Sequence, residues 1–160
     1  MSKLTDVRVI GSALYFLPVQ TRVPLKFGSE TLTSATCARG RLTVTDDRGR
    51  TAEGWGETPL SVQWVWPGSV SYERRHQALQ EFCRWLAEAW AGFAARGHAM
   101  EIGWAFQEEA LPALLARFNR ERREEGEAMP WLAALICCSV FDVALHDAYG
   151  KLLGVPVYET

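Results

Sequence analysis

Residues 51–60 read T-A-E-G-W-G-E-T-P-L. Trp55 and Glu57 stand two apart, and Gly54 and Gly56 flank the tryptophan. In a strand, a spacing of two puts both side chains on one face. Trp55 can then wall a pocket, while Glu57, with Thr58 beside it, hydrogen-bonds a loop or a polyol hydroxyl. The structural alternative packs Trp55 under helices and uses Glu57 to accept backbone amides at a strand end. Paired glycines would let the backbone bend sharply there. A second segment, Q-T-R-V-P-L-K-F-G at 20–28, offers Arg22, Lys26 and Phe27. Cations suit a carboxylate or sugar-acid ligand through charge-assisted hydrogen bonds, with plain solvent exposure as the alternative. Phe27 suits a hydrophobic flap or the core equally well.

Other reactive residue types read as structural. Asp142 and His146 are four apart, as are Asp147 and Lys151, which is the spacing of paired side chains along a helix. His76 and His98 fall on surface positions without an evident partner. Cys37, Cys83, Cys137 and Cys138 form no C-x-x-C and read as buried reduced thiols. The basic run at 117–126 carries its own acids and reads as a solvated helix end.

The elements that would hold these residues follow from pattern. V-R-V-I-G-S-A-L-Y-F-L at 7–17 reads as a strand closed by Pro18. The Thr- and Val-rich stretch 33–45 is a second strand, D-D-R-G-R at 46–50 a turn, and 51–57 the return strand. Together they predict a three-stranded antiparallel meander, followed by helices that cover one face. A helix over 72–96 carries Leu79, Phe82, Cys83, Leu86, Trp90 and Phe93 at spacings of three and four, with Ser71 as N-cap and Gly97 as stop. A second helix spans 104–123, interrupted or begun at Pro112. A third runs from Pro130 to Gly154, with a seam of Leu132, Leu135, Ile136, Val140, Val143 and Ala144. Phe141 and Leu145 widen that seam. Trp64 and Trp66 read as packing of the loop after the third strand, with an interface role as the alternative. V-P-V-Y-E-T reads as the start of a strand with nothing after it, so the chain is expected to be the front of a longer protein.

Bulk properties narrow the class. The chain has 160 residues, 48% hydrophobic and 22% charged, with formal net charge −2. This is globular composition, and it gives no reason to expect nucleic acid or an anionic membrane as partner. No segment reads as a membrane span or a signal peptide, so the expected location is cytoplasmic.

The stretch S-V-F-D-V-A-L-H-D-A-Y-G-K-L-L-G-V-P-V-Y resembles a junction motif of the enolase superfamily, in its mandelate racemase and muconate lactonizing branch. The match runs through Asp142, Ala144, Leu145, Asp147, Ala148, Gly150, Lys151, Gly154, Pro156 and Tyr158. G-W-G-E-T-P is similar to the G-x-G-E that ends the third strand in that family. The resemblance covers essentially the whole chain. It implies an α+β capping domain over residues 5–128 and the start of a truncated (β/α)-barrel over 129–160.

It also implies a Mg-dependent enzyme that removes the proton α to a carboxylate: a dehydratase, racemase or cycloisomerase. The metal ligands and the Lys or His base of that family lie in barrel strands beyond Thr160. This chain alone is then expected to be inactive. Its contribution would be substrate-specificity loops carrying Arg22, Lys26, Phe27, Trp55, Glu57 and Thr58. The partners implied are a small-molecule carboxylate, the protein's own barrel and further copies of itself. The competing expectation is a free-standing α+β binding module without catalysis.

Overall fold

The computed structural model describes residues 5–27, 30–122 and 126–160; the side chains of Phe27 and Glu30 lie outside the described residues. Three strands follow one another: β1 (Val7–Phe27), β2 (Glu30–Asp46) and β3 (Thr51–Pro59). All pairings are antiparallel, and the sheet order is β3-β2-β1-β4. The fourth strand, β4 (Arg96–Gly97), is two residues long and pairs with Val7 and Arg8. The expected three-stranded sheet is therefore four-stranded.

The β2–β3 hairpin closes where turn chemistry predicts. Asp46 Oδ1 accepts from the N–H groups of Arg48 (3.0 Å) and Arg50 (2.9 Å), and Gly49 supplies a positive φ of 75°. Along β2, Ala38, Gly40, Leu42 and Val44 are buried, while Arg39, Arg41 and Thr43 turn to the other face. In β1 the register shifts between Val9 and Gly11. Val7 and Val9 face inward before that bulge, and Leu14 and Phe16 pack on the core after it.

Pro18 does not end β1. It pairs with Thr36 inside a ribbon that continues to Phe27. Beyond Arg8 no described strand pairs with the other edge of β1, so the missing N–H of Pro18 costs no ladder bond there. The segment expected as a loop at 20–28 is, over its described part, strand.

Helices α1 (Val62–Val65), α2 (Tyr72–Ala91), α3 (Ala99–Ala105), α4 (Leu111–Arg122) and α5 (Trp131–Leu153) lie on the inner side. Ser71 caps α2, its side chain accepting from Arg74 N–H. The helix stops at Gly92 rather than near Gly97, and Gly97 joins β4 instead. Leu79, Phe82, Cys83, Leu86 and Trp90 are all buried as the period-3.6 pattern predicts. Phe93 lies past the helix end but still meets the core, 5.1 Å edge-on to Phe106, which stacks on Trp90 at 3.9 Å.

The second helix begins at Ala99, earlier than expected, because His98 is not a bare surface residue. Its Nδ1 accepts from Met100 N–H, and Glu101 accepts from His98 N–H at 2.8 Å, a capping box. Residues Phe106–Ala110 form a π-helical segment that joins α3 to α4 just before Pro112. The wider turn absorbs the proline without ending the helix. His76 is half-buried and stacks on Tyr72 at 5.6 Å, and burial lowers its pKa. Trp66 is buried and Trp64 exposed, so the two indoles do different things.

Helix α5 packs on β3, β2 and α2. Its buried side differs from the expected seam: Val140 and Ala144 are buried, but Leu132 and Val143 are exposed. Ala133, Ala134 and Ala148 join Val140, Ala144, Phe141 and Leu145 among its buried residues. By length and composition this helix is long and apolar enough to cross a membrane, contrary to expectation; half of that window is buried in the fold. Gly154 ends it in the left-handed region, φ 71°. Val155 N–H then returns to Gly150 O, and Val157–Glu159 form a 3-10 turn rather than a strand. Tyr158 is 98% exposed.

Candidate functional site

The alternation along β3 sorts its residues by size. Gly54 and Gly56 face α5 and are buried; Trp55 and Glu57 face the opposite side. The glycines do not bend the strand, and neither has a positive φ. They permit contact. A Cβ on Gly54 would overlap Ala144 O and Ala148 N, and one on Gly56 would overlap Val140 O. Gly40, opposite Gly56 on β2, is similarly confined, its Cβ position 2.6 Å from Val140 Cγ1.

On the outer face Trp55 is 40% exposed. Tyr15 lies 6.0 Å away, ring to ring, and the Arg41 guanidinium 5.8 Å from the indole. Glu57 takes both Nε (2.7 Å) and Nη2 (2.6 Å) of Arg39, its cross-strand partner, through one oxygen. Arg41 reaches Glu53 at 3.0 Å. A shallow depression of about 300 Å³ is lined by Arg39, Trp55, Gly56, Glu57 and Val143 of α5. Neither structural alternative for these two residues holds. Trp55 is not under the helices, and the Glu57 carboxylate meets a guanidinium rather than a backbone amide.

Thr58 belongs to the other face. Ser139 Oγ donates to Ile136 O at 2.8 Å, so it accepts from Thr58 Oγ1 at 3.0 Å. Arg22 and Lys26 are exposed on the β1–β2 ribbon. Among the described residues neither makes a hydrogen bond or an ion pair. The register shift between Gln20 and Leu25 places Arg22 on a bulge that includes Pro24, a device that re-aims side chains. Lys26 pairs with Thr31, six residues along β2 from Cys37, the partner of Pro59. At about 3.3 Å per residue that is roughly 20 Å beyond the end of β3. The fold thus joins Trp55 and Glu57, sets Thr58 behind them, and leaves Arg22 and Lys26 further out. The Phe27 side chain lies outside the described residues.

The missed members are Tyr15, Arg39, Arg41 and Val143. The signal for the arginines was present: R-G-R at 39–41 lies in hairpin register with W-G-E at 55–57. Asp142 and His146 make no direct ion pair among the described residues. Burial raises the Asp142 pKa, with His146 opposing. All four cysteines are free. Burial, then the nearby Asp142, pushes the Cys138 thiol up to about 12. Burial, then Glu57, raises Cys37. Both shifts disfavour the thiolate. Among the described residues no three His, Cys, Asp or Glu side chains converge, and Glu53 and Glu57 are engaged by arginines. The described residues therefore do not fit a divalent-cation site.

No protein-family model matches the sequence, and no curated protein matches it. Solved structures do. A dipeptide epimerase from Enterococcus faecalis, solved with Mg and a dipeptide, superposes with TM-score 0.54 at 12% identity over 95% of this chain and 34% of that one. One from Cytophaga hutchinsonii gives TM-score 0.51 at 19% identity, over 97% and 32%. The L-talarate/galactarate dehydratase from Salmonella typhimurium gives 0.50 at 14%, over 97% and 33%. The chain spans about a third of the length of each. Its α+β architecture, an antiparallel sheet covered on one side by helices, is the fold that mandelate racemase/muconate lactonizing enzyme-like proteins of the enolase family carry over that third of their length.

Proposed function

We propose that this chain is the capping part of a Mg-dependent enzyme that abstracts the α-proton of a small carboxylate, and that it supplies substrate specificity rather than catalysis. One geometric observation carries the reading. β1 and β3 run in the same direction, so the ribbon with Arg22 and Lys26 and the strand end with Trp55 and Glu57 project from one end of the sheet. An end that offers exposed cations on an extended arm, without partners among the described residues, and an aromatic wall behind, suits an anionic ligand held between cap and barrel.

In this reading residues 5–128 are the cap. Residues 129–160, mostly α5, begin the barrel, and the metal, its acid ligands and the base belong to the remainder. The reaction is that of a dehydratase, racemase or cycloisomerase, in a cytoplasmic homo-oligomer. Epimerase and dehydratase neighbours of the same fold support the class of chemistry.

The test compares two proteins. The 160-residue chain with Mg²⁺ and a panel of hydroxy- and sugar acids should show no turnover. The chain extended by its downstream sequence should turn over one of them in a Mg²⁺-dependent way. Turnover by the short chain overturns the proposal. An extended protein that lacks barrel acids, or a short chain that is the whole gene product and folds as a stable monomer, points instead to a binding module.

A further inference from the structure

Asp147 and Lys151 read from sequence as a helical pair, and they are one: Lys151 Nζ meets Asp147 Oδ2 at 2.7 Å. They also do something that spacing alone does not suggest. β3 is an end strand of the sheet, so one row of its backbone groups has no strand partner among the described residues. Leu60 N–H donates back to Thr36 O at 2.8 Å, which aims the even-numbered residues of this stretch toward β2. The odd-numbered residues Glu53, Trp55 and Glu57 therefore present N–H and C=O to the free edge. Asp147 and Lys151 reach that edge. Trp55 N–H donates to Asp147 Oδ2 at 2.8 Å, and Lys151 Nζ donates to Glu53 O at 3.3 Å.

A single carboxylate oxygen thus accepts from a strand amide and from an ammonium, and the ammonium in turn holds a strand carbonyl. Both bonds are charge-assisted. Behind them Gly54 lies against Ala144 and Ala148, so the helix cannot rotate or slide without breaking contact on both faces.

We propose that Asp147 and Lys151 are positioning residues: they lock the register of β3 against α5 and so fix where Trp55 and Glu57 stand at the outer depression. The clamp is a statement about this chain alone; its effect on substrate rests on the proposed function. An ordinary helical salt bridge would leave the Trp55 amide to solvent, and that difference is measurable.

Amide hydrogen exchange by NMR on the 160-residue chain tests it. Asp147→Ala removes the acceptor, and the Trp55 amide should exchange about tenfold faster while those of Leu42 and Leu86 keep their rates. Asp147→Asn keeps an acceptor oxygen and should retain most of the protection at Trp55. Lys151→Met leaves the carboxylate in place and should loosen the Trp55 amide by a smaller factor, which keeps the test open if Asp147→Ala does not fold. Unchanged exchange at Trp55 overturns the clamp. So does uniform acceleration of all amides, which would report lost global stability and no local positioning.

A kinetic measurement on the extended protein addresses the dependent half. Asp147→Ala should raise KM several-fold with kcat nearly unchanged. An unaltered KM beside a faster Trp55 amide overturns the link to recognition. Absence of any turnover in the unmutated extended protein sinks the functional reading instead, and the exchange rates alone then decide whether the clamp exists.

Discussion

The two faces of β3 are built from opposite ends of the amino-acid size range. Toward α5 the strand offers Gly54, Gly56 and Thr58; toward the outside it offers Glu53, Trp55 and Glu57. At Gly54 and Gly56 the inner face has no room for a side chain, because helix backbone occupies the place of each Cβ. The outer face carries the large groups, and they hold one another through cross-strand ion pairs and ring contacts. In W-G-E the glycine sets the packing against α5, and the tryptophan side chain stays on the outer face. One strand anchors a helix through its glycines and through the backbone groups of Glu53 and Trp55, and displays a surface through its large side chains.

Four substitutions would sharpen or break that contrast. Gly56→Ala forces a methyl group into Val140 O and should cost about 3 kcal/mol or more, read as a lower denaturation midpoint or failure to fold. A loss as small as that of an outer-face change would mean α5 can shift, and the contrast would fail. Thr58→Val removes one inner hydrogen bond and leaves Ser139 Oγ with only its bond to Ile136 O, for a loss of about 1 kcal/mol by urea unfolding.

Asp142→Asn probes the side of α5 that meets α3, where Asp142 Oδ1 lies 2.7 Å from the Cβ position of Gly103. Burial raises the Asp142 pKa above its unfolded value. Its protonated form is thus favoured on folding. That contribution is complete below the unfolded carboxylate pKa and is lost as pH rises through the folded one. The asparagine variant should therefore be more stable than the parent at neutral pH, by about 1 kcal/mol or less, with the gap closing in acid. An equal gap at both pH values would exclude the charge as its cause. Glu57→Gln is the smallest. The Arg39–Glu57 pair is substantially exposed, so less than about 0.5 kcal/mol should be lost, and less again at high salt. A large loss would make the outer face structural after all.

Much of the architecture is legible in the sequence because it depends on local rules. The Asp46–Gly49 turn, the Ser71 cap, the buried stripe of α2 and the Gly154 stop each follow from a few neighbouring residues. The errors arise where a remote partner overrides a local signal. Pro18 is a strand breaker only if its N–H is needed, and on an open edge it is not. Pro112 interrupts a helix only if the helix cannot widen, and a π-turn widens it. V-P-V-Y-E-T has strand-like residues, but the Gly154 cap folds it back against α5.

For the candidate site, the sequence by itself determined which side chains share a face: a spacing of two in a strand requires Trp55 and Glu57 to point the same way, and a spacing of four pairs Asp147 with Lys151. Only the tertiary structure decided which way that face points. The side of a sheet that helices cover is chosen by the whole set of contacts. Here the glycines let α5 approach on one side and leave the tryptophan on the other. Nor could sequence supply the bond between Asp147 and Trp55, 92 residues apart, because that contact exists only once helix and strand have been brought to backbone distance.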